Sequence, residues 1–255
     1  MTPDEVVTHN AEVWDRFVAS GDEWTRGASP EQVQRARNGD LRGVVLIGHE
    51  PVDRAWLPAS LEGVSVLCLA SGGGQQGPLL AAAGARVTVF DASPRQLQQD
   101  RDVAAREGLE VRTVLGDMRD LGALEDGEFE VIVHPVSNVF CPELAPVWAE
   151  CFRVLRPGGR LLAGFLNPDM FVFEEDALDR GEFVVANPLP YSNAPKPGAS
   201  MPDVPIEFSH TFAEQIGGQL AAGFTIAAFE EAPHHANATA RYMAGYFATL
   251  ALKPE

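Results

Sequence analysis

Gly72, Gly73 and Gly74, with Gly77 three residues on, spell G-x-G-x-x-G directly after the apolar run Val64–Leu69. Glycines let a backbone close on a ligand, and the N-terminus of a following helix offers free N–H groups to it. Asp91 closes the next apolar run, Arg86–Phe90. A carboxylate there can accept hydrogen bonds from ribose hydroxyls. Asp117 follows the run Glu110–Leu115, and His134 follows Phe129–Val133. Each of these groups sits just past an apolar run. The carboxyl ends of strands are where open α/β sheets bind ligands. The chemistry therefore points to a nucleotide-type ligand.

Elements must hold these groups in place. Val64–Leu69 is short, β-branched and bounded by glycine, which reads as a buried parallel strand. An Ala/Leu-rich helix over Gln75–Ala83 follows, and then the strand Arg86–Phe90. Ser93-Pro94 starts a helix that Gly108 stops. The strands Glu110–Leu115 and Phe129–Val133, a helix over Glu143–Leu155 and the strand Arg160–Leu166 complete the rhythm. Alternating strands and helices predict a parallel sheet covered on both faces. Upstream, Thr2-Pro3-Asp4-Glu5 and Ser29-Pro30-Glu31-Gln32 are helix starts that end near Gly21 and Asn38-Gly39. Residues 40–60 read as irregular.

After Leu166 the rhythm breaks. Residues 167–207 are proline-rich and too long for an ordinary connection, which predicts a cap or lid. A helix over Thr211–Ala222 and a strand near Phe224–Phe229 follow. The segment ending at Leu252 then reads as an edge or inserted strand. The expected organisation is one domain over 1–255. It comprises a helical cap (1–60), a ligand-binding core (61–166), a substrate-side insertion (167–209) and a final helix with strands (210–255).

The glycine turn, Asp91, Gly116-Asp117-Met118 and Arg156-Pro157-Gly158-Gly159 before the fifth strand resemble the class I S-adenosylmethionine-dependent methyltransferases. The resemblance is to their small-molecule, ubiquinone/menaquinone-biosynthesis-like branch. It implies a Rossmann-like α/β fold with a mostly parallel seven-stranded sheet, and S-adenosyl-L-methionine as cofactor. Ala70, Ser71, Gly72, Gly73 and Gly74 then stand where the family wraps the methionine part. Gln75 and Gln76 open the first core helix and read either as contacts to the cofactor carboxylate or the substrate, or simply as the helix start. Asp91 stands at the ribose, and Ala92 and Ser93 beside the adenosine. Asp117 falls near the adenine amino group and Met118 against the ring. His134 falls where the family's backbone meets the methionine amino group. Cys68 and Ala70 depart from the pattern, which usually has an acid and a glycine there.

Methyl transfer needs a nucleophile held in line, and a base only if that nucleophile is protonated. His134 is the first candidate for substrate contact or base. His210 is the second, although Ser209, His210 and Thr211 read more simply as a helix cap. Trp14, Trp24 and Tyr191 can form an aromatic cover over the cofactor or substrate, although Trp14, spaced with Val13 and Phe17, reads more simply as packing, and Asn138 is a further substrate contact. His234-His235 lacks a third ligand, and no metal site is expected. Other readings of the glycine motif are an NAD(P)-linked oxidoreductase, opposed by the absence of a Tyr-x-x-x-Lys pair, and a non-catalytic S-adenosylmethionine-binding protein.

The net charge of −17 is spread along the chain. It argues against nucleic acid or an anionic membrane as partner and leaves a small molecule. Cys68, Cys141 and Cys151 lack metal or disulfide spacing, and the N-terminal residues lack a signal-peptide pattern. Both point to a reducing, cytoplasmic setting. Oligomeric state has no sequence signal.

Overall fold

The computed structural model describes residues 1–196, 198–234 and 238–255; His235 lies outside them. Helix α1 (Pro3–Ser20) begins with a reciprocal cap. The Glu5 amide donates to Thr2 Oγ1 at 3.2 Å, and the Thr2 amide donates to Glu5 Oε2 at 2.7 Å. Ser29 and Gln32 cap α2 (Pro30–Arg37) in the same way.

Residues 40–60 are more ordered than expected. They hold a small antiparallel hairpin, β1 (Val45–Ile47) and β2 (Glu50–Pro51), whose Leu46 carbonyl accepts from the Val136 amide at 3.2 Å. The hairpin lies against Gly164, where any Cβ would collide with the Leu46 carbonyl.

The core follows in order: β3 (Ser65–Leu69), α3 (Gln76–Ala82), β4 (Arg86–Asp91), α4 (Pro94–Glu107), β5 (Val111–Leu115), β6 (Phe129–His134), α5 (Ala145–Val154) and β7 (Leu155–Leu166). A short α6 (Glu175–Asp179) lies in the insertion. Then come α7 (Gly218–Ala221), β8 (Thr225–Ala232) and β9 (Tyr246–Leu252). The seven-stranded sheet runs β5-β4-β3-β6-β7-β9-β8. It is parallel through β7, and β9 inserts antiparallel between β7 and β8. The expected Rossmann-like class I methyltransferase sheet is therefore present.

Side-chain alternation sends Val66 and Cys68 to the face packed by α2, α3 and α4, and Leu67 and Leu69 to the face packed by α5. Trp148, fully buried, fills the second layer. Chain order reverses between β3 and β6, so a crevice opens at their carboxyl ends.

The helix expected over Thr211–Ala222 is interrupted. A π-turn over Ala213–Gly217 precedes α7, and its wider turn carries Gln215 inward. The insertion is pinned by bridges Phe173↔Val185 and Ser192↔Phe208. Among the described residues, no helix is long and apolar enough to cross a membrane.

Candidate active site

A cavity of about 1130 Å³ occupies the crevice. Ala70, Ser71, Gly72, Gln75, Asp91, Ala92, Ser93, Asp117 and Met118 all line it. Gly73 and Gly74 do not; they form the back of the loop, with φ of +111° and +75° that favour glycine. The loop is held from several elements. The Gly73 amide donates to Gln96 O and to Asp100 Oδ2, each at 3.1 Å. The Ala28 amide donates to Gly74 O at 2.7 Å. Gln75 Nε2 donates to Trp24 O at 3.0 Å.

Asp91 ends β4. Its Oδ2 accepts from the Gly72 amide and its Oδ1 from the Ser93 amide, both at 2.9 Å. Burial raises its pKa against the pull of those amides. The Ala92 amide pulls the same way, and a carboxylate with about four acceptor sites still has capacity for a ribose hydroxyl.

Beneath the loop lies Asp100 of α4, fully buried. Burial and the nearby Asp91 raise it to about 8, although the Gly73 and Gly74 amides oppose the shift. Cys68 sits in the same layer, its thiol pushed up by burial and by Asp100. Asp100 thus reaches the glycine loop from α4, beside Cys68. Gly77 is required by packing, because a Cβ there would lie 2.6 Å from Val89 Cγ2 and 3.1 Å from Asp100 Oδ1. Asp117 is clamped by Arg119, whose Nε donates to Oδ2 at 2.8 Å.

His134 is placed otherwise than expected. It does not line the cavity; it is fully buried and stands edge-on to Trp148, with ring centroids 6.0 Å apart. Its Nδ1 lies 3.0 Å from the Leu69 carbonyl, and its Nε2 is 2.8 Å from Asn138 Oδ1. Burial lowers its pKa. Asn138 is buried too and donates to Gln215 Oε1 at 2.7 Å. Pro135, Val136 and Ser137 face the cavity instead. His210 also lies off the cavity, buried, with Nε2 donating to the Cys141 carbonyl at 2.7 Å. Thr211 and Glu214 form the helix cap, the Thr211 amide donating to Glu214 Oε2 at 2.8 Å. Tyr191 is outside the lining and packs on Phe171 at 5.8 Å.

The opposite wall is built by α1, the turn 138–141 and the insertion. Asn10 ties them together, with Nδ2 donating to the Phe140 and Ile206 carbonyls, each at 3.0 Å. Trp14 lines this wall and packs edge-on to Phe140 at 5.3 Å. Trp24 lines the rim, 44% exposed, and stacks on His49 at 5.0 Å. Sequence reasoning missed Glu207, which also lines the cavity, as do His49 and Tyr246. The one local sign for Glu207 is an acid between Ile206 and Phe208.

Residues 67–163 match the methyltransferase domain family model. The chain is 43% identical over 234 residues to the uncharacterized methyltransferase YbaJ of Bacillus subtilis, spanning 89% of this chain and 90% of that one. The chain belongs to the S-adenosylmethionine-dependent methyltransferases. The ubiquinone biosynthesis O-methyltransferase of Xanthomonas axonopodis pv. citri is 27% identical over 62% of each chain. Among solved structures, the Burkholderia thailandensis 1,6-didemethyltoxoflavin-N1-methyltransferase, with 1,6-didemethyltoxoflavin and S-adenosylhomocysteine bound, superposes with a TM-score of 0.58. It is 19% identical and covers 100% of this chain and 92% of that one. An S-adenosylmethionine-dependent methyltransferase from Mesorhizobium loti reaches 0.59 at 16% identity, over 78% and 94%.

The methyltransferase cavity fits the donor on its own geometry. At Gly72 a Cβ would meet Gln96 Cβ at 2.7 Å and Asp91 Oδ2 at 3.0 Å, so the loop lies against the carboxylate without room for a side chain. Gln96 Oε1, buried beside the loop, has no hydrogen-bond partner among the described residues. The cradle thus offers a carboxylate with spare lone pairs and a close backbone.

Proposed function

We propose that this methyltransferase moves the methyl group of S-adenosyl-L-methionine to a small molecule seated against α1, the turn 138–141 and the insertion. The supporting observation is Asp91. It joins the glycine loop to the cavity and places a carboxylate where ribose hydroxyls can donate to it. Ala70 to Gly72 and Gln75 meet the methionine part of the donor, Ala92 and Ser93 the adenosine, and Asp117 and Met118 the adenine. When bound, the donor supplies a methyl group already activated on a sulfonium. The chain holds the acceptor in line and excludes water, and such orientation can contribute about 7–11 kcal/mol. Trp14 and Trp24 cover the acceptor. The chain works in the cytoplasm, where buried free cysteines such as Cys68, Cys141 and Cys151 stay reduced.

Calorimetric titration with S-adenosylhomocysteine and with NADH tests the donor assignment. S-adenosylhomocysteine is expected to bind stoichiometrically and NADH not at all. The reverse pattern overturns it.

A further inference from the structure

The acceptor half of the cavity contains a group that the donor assignment leaves unused. Glu207 lines the cavity from the insertion. Its backbone is fixed on three consecutive residues. The Ile206 amide donates to Asn10 Oδ1 at 2.7 Å, the Glu207 amide to Asn193 Oδ1 at 2.7 Å and the Phe208 amide to Val139 O at 2.8 Å. Residues of α1 and of the turn after β6 therefore fix where this side chain starts. Among the described residues nothing hydrogen-bonds its carboxylate. The residue is half-buried and its carboxylate stays open to the cavity, so it is available to a group bound there.

A second polar group faces the same space. Antiparallel pairing sets Tyr246, the first residue of β9, beside Leu166 at the end of β7, and both line the cavity. The Tyr246 ring stacks on His234 at 5.0 Å. Glu175 of α6 lines the cavity as well. The surrounding wall is apolar and aromatic, with Trp14, Val139, Phe140 and Leu166.

We infer that Glu207 is the proton acceptor of the methyl transfer, and that the methyl acceptor is a small aromatic or otherwise apolar molecule whose nucleophile is a neutral O–H or N–H. The inference rests on the methyl-transfer reading above. In the step, a lone pair on oxygen or nitrogen forms the new bond to the methyl carbon, and the S–CH₃ bonding pair stays on sulfur. The O–H or N–H proton passes to the Glu207 carboxylate, giving the methylated product, the thioether and a neutral carboxylic acid. A thiolate or an already ionised phenol would need no such base. Burial and the neighbouring Glu175 carboxylate raise Glu207 to about 7, where an acceptor of protons at neutral pH is best matched. Burial and Glu207 raise the Tyr246 phenol to about 12, so Tyr246 stays a neutral donor able to orient the acceptor.

The decisive measurement is a crystal structure of the wild-type protein with S-adenosylhomocysteine. A nucleophile about 3 Å from the methyl carbon and about 3 Å from its base sets the expected span. A Glu207 oxygen should lie within roughly 8 Å of the homocysteine sulfur, with open cavity between them. A sulfur walled off from Glu207 overturns the inference. Failure of S-adenosylhomocysteine to bind instead overturns the donor assignment, so the two failures are separate. In solution, Glu207→Gln should keep S-adenosylhomocysteine affinity within about twofold, because it replaces the carboxylate with a group of the same shape. With catechol and aniline as probes, it should lower methyl transfer at least about a hundredfold. Unchanged transfer in Glu207→Gln, or transfer by the wild type to thiophenol alone, overturns the inference. Should the wild type be inert to all three probes, the distance from the sulfur to the Glu207 carboxylate in the crystal decides for or against it.

Discussion

The two halves of the cavity are built by opposite means. On the donor side, carboxylates are held by backbone amides: Asp91 by Gly72 and Ser93, and Asp100 by Gly73. Those amides belong to turns between consecutive strands and helices. On the acceptor side, loops and the N-terminal helix converge, and the Glu207 carboxylate has no partner among the described residues. A ligand common to a family is met by groups whose places the sheet dictates. A ligand particular to one member is met by groups that segments distant in sequence bring together, as Asn10 and Ile206 are.

The strongest way to break this contrast is to replace the buried acid beneath the donor loop. Asp100 has an ordinary value of 3.8 and is raised to about 8 in the fold. Below pH about 4 it is protonated in both folded and unfolded chains, and its contribution to stability is complete. As pH climbs toward 8, the unfolded chain has released the proton and the folded one still holds it, so stability falls. Asp91 and Glu207, also raised, slope the same way. Asp100→Asn keeps an oxygen for the Gly73 amide and removes one slope only. Urea unfolding between pH 5 and 8 should show the variant losing less stability than the wild type, by a few kcal/mol at about 1.4 kcal/mol per pKa unit. Parallel slopes would mean that this carboxyl is not held protonated beneath the loop.

Asp91→Ala sharpens the contrast within binding. Loss of charge-assisted hydrogen bonds costs about 1.5–3 kcal/mol, so S-adenosylhomocysteine affinity should drop by roughly ten- to a hundredfold. Glu207→Gln, on the other wall, should leave it nearly unchanged. Equal losses in calorimetry would erase the division between the halves.

The donor half is legible in the sequence because its signals are local. Glycines, strand-end acids and capping residues such as Ser93 act within a few positions of themselves. The sheet, including the inserted final strand, follows from the same periodicity. His134 is misplaced by sequence reasoning for a cause that strand parity contains. Ile132 and His134 share a face of β6, and that face packs on Trp148 rather than opening to the cavity. The cavity positions of Glu207 and Tyr246 turn on a different cause. One depends on a bridge to α1 and the other on where β9 inserts, and neither partner is near in sequence. Asp100 is intermediate. Its helix is predicted, but the side facing the glycine loop is set by how α4 packs on β4.

The smallest expected effect concerns Ala70. It lines the donor side with φ of +46°, the one non-glycine residue at positive φ among those described. The left-handed region costs an L-residue about 1–2 kcal/mol, because Cβ crowds the following carbonyl oxygen. Glycine escapes that cost but loses about 0.5–1 kcal/mol more in backbone freedom on folding. The difference favours Ala70→Gly by about 0.5–1 kcal/mol, read as a higher urea midpoint at unchanged slope. A lower midpoint would show that the methyl group of Ala70 contributes more by packing than its backbone loses by strain. The donor loop would then be held by its side chains as well as by its amides, and the contrast with the acceptor wall would narrow.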